Sequence, residues 1–332
     1  MAPAEDNLAM AHIEIALATF QSAKYLRAQL TSLFAQSHQD FSILVADDGS
    51  TDSTLDILAE YSALNPNRIR LLTFEGRSGG PCENFARILH ATQAPYLMFC
   101  DHDDVWLPDK IAVSLSRMRN LEEKSGSDKP LLVHTDLAVV NSELQPLFSS
   151  FAQREHLSPR NSELRRLIMQ NNVTGCTMLM NRALYRLARP IPQGAPMHDW
   201  WIALVAAAFG RISFVDSATV LYRQHASNIV GITKRRSLAD QFTKIIDFVR
   251  GRNGRGTARL HRVTKQAQLF EHQYASLLSP SQYIMVSKIA NLWNMPIAVR
   301  IWTLIANRFF AFRNIRTIQF LIAACSRVPR LS

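Results

Sequence analysis

The sequence predicts an α/β protein in which a mostly parallel sheet is flanked by helices and followed by a C-terminal helical extension. Three observations lead to this prediction. Apolar strand-like runs alternate with helical patterns through the first 123 residues, which is typical of a parallel sheet. Acidic clusters follow two of the predicted strands. Beyond residue 232 the composition becomes strongly basic and the remaining patterns are helical.

The predicted elements follow a regular order in the first part of the chain. Short apolar runs predict strands at 13–18, 41–46, 69–74 and 96–100. Helices are expected between them, because apolar residues there recur at helical spacing: Leu26, Leu30, Leu33 and Phe34 on the first helix, Leu55, Leu58 and Ala59 on the second, and a third helix over 83–92.

The alternation weakens after residue 124. Further strands are predicted at 131–136, 212–215 and 219–222, and a short apolar helix at 200–209 ends at Gly210. Residues 171–180 fit either a strand or a buried turn, and 141–170 fit a loop with short helices. From about residue 237 onward the patterns are helical.

Composition limits the class of protein and its compartment. With 332 residues and 47% hydrophobic residues, the chain can bury a sizeable core and is not expected to be disordered. The four cysteines are far apart and show no metal-binding or redox spacing, which favours a reduced, cytoplasmic protein. Residues 1–12 lack an apolar segment, so no signal peptide is expected there.

Charge is distributed unevenly between two predicted regions, 12–231 and 232–332. The second region carries 17 Lys+Arg and 3 Asp+Glu, a net charge of +14, whereas the rest of the chain has a net charge of −4. Basic helices that also carry Trp and Phe favour binding at an anionic membrane surface, with the protein peripheral to the inner face of the cell membrane. The alternative is a helical cap that only packs on the core.

Two other roles for the basic region are not expected. No apolar run of about 18 residues is present, so a membrane-spanning helix is not predicted. No recognised nucleic-acid motif accompanies the positive charge, so nucleic acid is not an expected partner.

Two acidic clusters follow neighbouring predicted strands. Asp47 and Asp48 follow the second strand, and Asp101, Asp103 and Asp104 follow the fourth. Because the carboxyl ends of parallel strands share one edge of a sheet, the clusters are expected to meet where such sheets bind ligands. The first cluster suits ribose or base hydrogen bonds, and the second suits Mg²⁺ or Mn²⁺, which would neutralise a pyrophosphate.

The same residues allow other interpretations of these clusters. Neither a P-loop motif nor a dinucleotide-binding glycine motif occurs, so kinase, ATPase and dehydrogenase activities lose their best support. Aspartates are also common in turns and at helix caps. Three carboxylates within four residues exceed what a cap requires, which favours the functional interpretation.

Six segments together resemble family 2 glycosyltransferases of the GT-A fold, over about residues 12–231, and are similar to the bacterial rhamnosyltransferase-type branch. The segments are 18–21 (ATFQ), 45–50 (VADDGS), 101–104 (DHDD), 172–177 (NVTGCT), 197–201 (MHDWW) and 222–231 (YRQHASNIVG). One departure is at 198–199, where the usual Glu-Asp pair of the family reads His-Asp. The role of His198 therefore stays open.

The resemblance implies roles for individual residues. The implied nucleotide-sugar site has Thr19 and Phe20 at the base, Asp48 at the nucleoside, and Asp101 and Asp104 at the donor. The D-x-D motif implies metal ligation by Asp103 and Asp101, and the family pattern allows His225 as a further ligand, with a structural histidine as the alternative.

Other candidates follow from side-chain chemistry. Arg77, in its Gly-rich loop, could approach the nucleotide, and Arg223 could pair with phosphate bidentately; an ordinary loop and a surface arginine are the alternatives. On the acceptor side, Trp200 and Trp201 could stack on a sugar, with at least one of them expected in the core, and Gly175 would shape the wall.

Asp199 is the expected general base, both by resemblance and by chemistry. Inverting sugar transfer needs a carboxylate to take the proton of the attacking hydroxyl. Asp199 precedes an apolar segment and is expected at a helix start, where a helix dipole would lower its pKa. An ordinary helix-capping aspartate is the alternative interpretation.

The predicted activity is metal-dependent, inverting transfer of a sugar from a dTDP- or UDP-sugar to a hydroxyl. L-rhamnose is the first candidate sugar, by resemblance only. The acceptor would be a lipid-linked or cell-surface polysaccharide such as O-antigen. The alternatives are a sugar nucleotidylyltransferase, which would need a Gly-rich, Arg-containing loop after the first strand, a non-catalytic membrane-associated subunit, and a metal-dependent phosphohydrolase.

Overall fold

A computed structural model describes residues 12–225, 255–311 and 314–325. Four sequence-based expectations lie wholly or partly outside these ranges. They are the N-terminal segment before residue 12, the end of the 222–231 motif, the proposed boundary between residues 231 and 232, and the first part of the helical pattern from about residue 237.

The described residues form one nine-stranded mixed sheet, which confirms the α/β class. Eight strands lie in the order β3-β2-β1-β4-β8-β6-β9-β5, and β7 pairs with the free part of β6. The strands are β1 (Ile13–Thr19), β2 (Phe41–Asp47), β3 (Ile69–Leu72), β4 (Tyr96–Asp101), β5 (Val105–Trp106), β6 (Leu131–Val140), β7 (Pro146–Phe148), β8 (Met178–Asn181) and β9 (Arg211–Arg223).

The first half of the sheet is parallel, and its strands end level with one another. Thr19 pairs with Asp47 across β1 and β2, and Ala18 pairs with Asp101 across β1 and β4. These strands are apolar on both faces because helices cover both. The register therefore brings the two acidic clusters to the same sheet edge, as the sequence predicts.

The second half of the sheet is mixed and differs in detail from the prediction. β8 runs antiparallel to both β4 and β6, whereas β9 runs parallel to β6. β9 is one continuous strand where two short strands were expected. Its pairing with β6 shifts register where Thr135 pairs with Val215 and Asp136 with Ala218, so polar Asp216 and Ser217 are accommodated in an irregularity rather than ending the strand.

Helices cover both faces of the sheet. One face carries α1 (Ala23–Phe34), α2 (Thr54–Leu64) and α4 (Lys110–Ser125), whose apolar residues share a core with alternate residues of β1, β2 and β4. The other face carries α3 (Pro81–Ala91), α6 (Leu164–Leu167), α7 (Arg182–Leu187) and α8 (His198–Phe209). The short helix α5 (Phe151–Arg154) lies in the loop after β7.

The C-terminal helices share the core of the second face. They are α9 (Arg255–Tyr274), α10 (Pro280–Ala290), α11 (Ile297–Ala306) and α12 (Asn314–Ala324). The indole of Trp201 on α8 lies edge-on to the ring of Phe270, with 5.5 Å between centroids, and 5.8 Å from Tyr274. Within the described ranges, no helix combines the length and apolar character needed to cross a membrane.

Candidate active site

The turn after β2 is built around Asp47. Its carboxylate accepts hydrogen bonds from the backbone N–H of Gly49 at 3.1 Å and of Ser50 at 2.8 Å, and from the Thr19 hydroxyl at 2.8 Å. Gly49 has φ +83°, which favours glycine. Thr19 is buried, so the expectation that its side chain lines an open base pocket is wrong: the hydroxyl instead fixes the turn that presents Asp48.

Three predicted nucleotide-binding residues lie together on the rim beside this turn. Phe20 is 44% exposed, and the Arg77 guanidinium lies 5.4 Å from its ring centroid. Arg77 also donates a hydrogen bond to the Gly49 carbonyl at 3.2 Å. The Asp48 carboxylate accepts from the Ser78 N–H and lies 4.0 Å from Arg87 Nη1. An exposed ring, a cation and a carboxylate in one place suit a base and its ribose.

The carboxylates at and just after the end of β4 lie close to one another, with Asp104 buried and Asp101 and Asp103 partly buried. Burial, followed by the charges of Asp103 and Asp199, raises the pKa of Asp101 to about 7. Burial and the charges of Asp103 and Asp101 hold the pKa of Asp104 well above its usual range. Asp104 Oδ2 has no hydrogen-bond partner among the described residues. Because clustered carboxylates with an orphaned oxygen favour a compensating cation, these residues fit a divalent metal.

Two sets of possible ligand atoms lie in this region. In the first set, His225 Nε2 lies 2.8 Å from Asp103 Oδ2, and both residues are predicted ligands. In the second set, ligand atoms of Asp101, Asp104 and Cys176 lie within 4.8 Å of one another. A thiol is a poor ligand for Mg²⁺ or Mn²⁺, so the oxygen and nitrogen donors of Asp103 and His225 suit these ions better.

Asp104 and Arg223 occupy positions that correct their predicted roles. Asp104 is fully buried, and its Oδ1 accepts a hydrogen bond from the Arg223 N–H at 3.1 Å, so it does not face a donor sugar directly. The Arg223 guanidinium is buried and donates to the carbonyls of Asp103, at 2.8 Å, and Ser142. Arg223 therefore joins the end of β9 to the acidic motif by hydrogen bonds, and its guanidinium is not exposed for bidentate binding of phosphate.

Asp199 lies in the first turn of α8, beside the acidic cluster. Its Oδ2 accepts a hydrogen bond from the Gly175 N–H at 3.1 Å, and its Oδ1 from the Trp200 N–H at 2.6 Å. Burial raises the pKa of Asp199 to about 6 despite these hydrogen bonds. The expected lowering at a helix start is therefore wrong, because desolvation outweighs the helix terminus here.

His198, whose role the sequence left open, is a buried neutral side chain. Its ring lies 4.2 Å from that of Phe85 and 4.8 Å from that of Phe99, measured between centroids. Neither ring nitrogen has a hydrogen-bond partner among the described residues. Burial lowers the pKa of His198 to about 3, so the imidazole stays uncharged at neutral pH. It fills space beneath Asp199 rather than carrying a charge.

The predicted acceptor-side residues separate into surface and core. Trp200 is partly buried, and its Nε1 donates to the Leu167 carbonyl at 2.6 Å. Trp201 is fully buried, and its Nε1 donates to the Ala188 carbonyl at 3.1 Å. Trp201 is therefore the tryptophan that lies in the core, where it packs against the C-terminal helices and is not available to an acceptor. Gly175 is buried but touches Asp199 directly.

Lys110 belongs to the same acidic region, and no sequence pattern predicts it there. It is fully buried at the start of α4, with its Nζ 4.6 Å from the Trp106 ring centroid. Burial lowers its pKa to about 8, while the nearby Cys176, Cys100 and Asp104 act in the opposite direction. A lysine that follows Pro108 and Asp109 in the sequence would be expected on the surface. Its burial near the carboxylates follows from the fold alone.

Comparison with known proteins identifies this architecture. Residues 14–125 match the family model "Glycosyl transferase family 2". The dTDP-rhamnosyl transferase RfbG of Shigella flexneri is 27% identical over 226 residues, which cover 65% of this chain and 73% of RfbG. Residues 14–125 thus form a family 2 glycosyltransferase domain. The similarity to RfbG agrees with the resemblance to the rhamnosyltransferase-type branch.

A further relative and a solved structure extend the comparison. The putative teichuronic acid biosynthesis glycosyltransferase TuaG of Bacillus subtilis is 30% identical over 106 residues, which cover 32% of this chain and 41% of TuaG. Alignments with other curated relatives span 66% of their length or less. The structure of S. aureus TarS 1–349 with UDP-GlcNAc superposes with a TM-score of 0.52 at 17% identity, covering 93% of this chain and 90% of TarS 1–349. The fold is of the GT-A type.

Proposed function

We propose that this family 2 glycosyltransferase catalyses metal-dependent, inverting transfer of a sugar from a nucleoside diphosphate to an acceptor hydroxyl. One observation carries the proposal. The Asp199 carboxylate lies close enough to the acidic motif for its charge to raise the pKa of Asp101, at the edge that also holds Asp48 and Phe20. The proposed proton acceptor, the proposed metal site and the proposed nucleoside-binding residues thus lie near one edge of the sheet.

Asp199 is the proposed general base. Its raised pKa of about 6 leaves it ionised at neutral pH and more basic than an ordinary aspartate. The hydrogen bonds from the Gly175 and Trp200 N–H groups hold the carboxylate in place. The acceptor hydroxyl would give its proton to Asp199 as its oxygen attacks the anomeric carbon from the face opposite the diphosphate, which gives inversion.

Asp103, Asp101 and His225 are the proposed ligands for Mg²⁺ or Mn²⁺. Their oxygen and nitrogen donors suit either ion, and the mutual repulsion of the carboxylates disappears when a divalent cation is bound. When bound, the metal would neutralise the charge of the leaving diphosphate. Phe20, Asp48 and Arg77 would hold the nucleoside on the neighbouring rim.

dTDP-L-rhamnose is the proposed donor, with a lipid-linked or cell-surface polysaccharide such as O-antigen as the acceptor. The name of RfbG, a dTDP-rhamnosyl transferase, supports the donor. The name of TuaG, which refers to teichuronic acid biosynthesis, supports a cell-surface polymer as the acceptor class. A UDP-sugar is the alternative donor, since TarS 1–349 was crystallised with UDP-GlcNAc.

An anionic membrane surface is the proposed location of the reaction, on the cytoplasmic side. Helix α11 exposes an apolar stripe made by Ile297, Val299, Trp302 and Ile305, with Trp302 70% exposed. Residues 272–332 contain no Asp or Glu, so every charged side chain of this segment is basic. An apolar face set among cations fits the headgroup region of anionic lipid.

Vesicle co-sedimentation tests this location. Trp302→Ser should reduce binding to vesicles containing phosphatidylglycerol, and phosphatidylcholine vesicles should bind weakly. Leu64→Ser is the matched control, because Leu64 on α2 is also 70% exposed and lies outside the basic region. Equal binding of the Trp302 variant and wild type would refute the docking role of α11.

The activity itself is tested by incubating the purified protein with dTDP-L-rhamnose, Mn²⁺ and a panel of lipid-linked acceptors. The expected result is dTDP release that depends on acceptor, with an inverted anomeric product. dTDP or UDP should raise the melting temperature strongly with metal and weakly with EDTA. Free sugar phosphate would indicate a phosphohydrolase, and nucleotide binding without turnover on any donor would indicate a non-catalytic subunit.

A further inference from the structure

Tyr25 is an aromatic residue at the edge of the site that neither the motifs nor the proposed mechanism uses. It lies near the start of α1. The imidazole of His225 stacks on its ring, with 4.9 Å between centroids and 30° between planes. The guanidinium carbon of Arg223 lies 4.5 Å from the same ring centroid, and Lys24 Nζ lies 4.9 Å from it.

The two groups from the end of β9 that contact Tyr25 also bind the acidic motif. His225 Nε2 lies 2.8 Å from Asp103 Oδ2. Arg223 Nε donates to the Asp103 carbonyl at 2.8 Å, and the Arg223 N–H donates to Asp104 Oδ1 at 3.1 Å. A single ring therefore supports both side chains that join β9 to Asp103 and Asp104.

These contacts are of a kind that fixes orientation. Ring stacking contributes about 0.5–1.5 kcal/mol beyond the area that it buries, and a cation over an aromatic face contributes a similar amount. An imidazole held on one face has fewer rotamers available, so its nitrogen stays directed at Asp103. Removal of the ring would release His225 and Arg223 together.

We propose that Tyr25 is a positioning residue for the divalent-cation site, acting through His225 and Arg223 to hold the Asp103 side of the acidic motif in its binding geometry. This inference rests on the proposed function, because it assumes that Asp103 and His225 bind the metal. It assigns a role in metal binding to α1, which carries none of the predicted ligands.

Direct Mn²⁺ binding, followed by the electron paramagnetic resonance signal of free Mn²⁺ in the presence of dTDP, tests the inference without relying on turnover. Tyr25→Leu should weaken Mn²⁺ binding about three- to tenfold, as expected from the loss of stacking and cation contacts. Tyr25→Phe keeps the ring and should bind within about twofold of wild type, since the hydroxyl adds little to ring stacking.

Tyr61→Leu is the control for loss of a partly buried tyrosine. Tyr61 lies on α2, and its ring stacks on Phe34 at 6.3 Å between centroids. This variant should bind Mn²⁺ like wild type even where it loses a similar amount of thermal stability. Weakened binding in Tyr61→Leu to the same degree as in Tyr25→Leu would overturn the inference, because the effect would then be general.

A double-mutant cycle with His225→Ala separates the inference from the function on which it rests. If Tyr25 acts through His225, the Tyr25→Leu/His225→Ala protein should bind Mn²⁺ less weakly than the two single effects combined predict. Wild-type binding by Tyr25→Leu, with binding lost in Asp103→Asn, overturns only the role of Tyr25. Unchanged binding in Asp103→Asn overturns the proposed metal site itself.

Discussion

The backbone N–H of Gly175 donates a hydrogen bond to Asp199 Oδ2 over 3.1 Å, and no side chain separates the two residues. The loop before β8 and the start of α8 therefore touch at the proposed base. A Cβ added at Gly175 would lie 3.0 Å from His198 Nε2 and 3.5 Å from Asp199 Cβ. The absence of a side chain at residue 175 allows this close approach.

We expect Gly175→Ala to lower kcat about tenfold or more, because a misplacement of the base by even a fraction of an ångström weakens proton transfer. Stability should fall by about 1–3 kcal/mol from overpacking. Steady-state kinetics and thermal unfolding measure the two effects. The Gly175→Ala/His198→Ala protein, which restores the space, should recover kcat while staying less stable. Wild-type kcat in Gly175→Ala would show that this contact does not position Asp199.

The pH dependence of the reaction should report Asp199. Since the base must be ionised and its pKa is raised to about 6, kcat/KM should fall tenfold per pH unit below about pH 6 and level off above it. Initial rates at saturating metal between pH 5 and 9 measure this profile. Asp199→Asn should lose activity at every pH. An Asp199→Asn protein that retains both activity and the acidic limb would exclude Asp199 as the base.

Asp199 should also make the folded protein less stable as the pH rises. Its carboxyl binds a proton more tightly when folded, with a pKa of about 6, than when unfolded, with a pKa near 3.8, so stability is lost as the pH rises through this interval. The Asp199→Asn protein has no carboxyl at this position, so its free energy of unfolding should not fall for this reason as the pH rises. Denaturant unfolding at pH 4 and pH 7 should show the variant gaining about 2 kcal/mol over wild type across this interval. If the difference in unfolding free energy between the two proteins were the same at both pH values, the raised pKa of Asp199 would be contradicted.

Lys110 is expected to cost stability because its ammonium is buried away from water. Neither its Nζ nor Asp104 Oδ2 has a hydrogen-bond partner among the described residues, and burial raises the pKa of Asp104 well above its usual range. Lys110→Met removes the buried ammonium and keeps a side chain of similar length, so it should be at least as stable as wild type in denaturant unfolding. Lys124→Met is the control, since Lys124 is exposed on the same helix α4. A Lys110→Met protein much less stable than this control would show that nearby charges compensate the lysine.

The strand ends were predictable from the sequence because they depend on local features. Each apolar run is short, and polar residues such as Asp47 and Asp101 follow directly, so the level ends of β1, β2 and β4 follow from pattern and parallel pairing. The cluster of carboxylates was predictable for the same reason. Phe20 and Asp48, the proposed nucleoside-binding residues, follow the ends of β1 and β2 and were predictable in the same way.

The errors concern residues whose environment is set by distant parts of the chain. From the sequence, Trp201 is a candidate for stacking on a sugar. In the structure, Phe270 on α9 packs against its ring. From the sequence, Arg223 is a candidate phosphate ligand. In the structure, its guanidinium donates a hydrogen bond to the carbonyl of Ser142, in the loop after β6. Burial of Asp199, which reverses the expected direction of its pKa shift, likewise depends on the packing of α8 and not on its local sequence.

Helix α8 carries the proposed base Asp199 in its first turn and, two residues later, a tryptophan whose neighbours come from α9. During synthesis on a ribosome, Asp199 and every strand emerge well before Phe270 and Tyr274 do. We expect a nascent chain arrested before α9 to leave the Trp201 indole uncovered and α8 loosely held. Such a chain would have a complete sheet but an unsupported α8. Activity should therefore appear only after the final quarter of the chain has been synthesised.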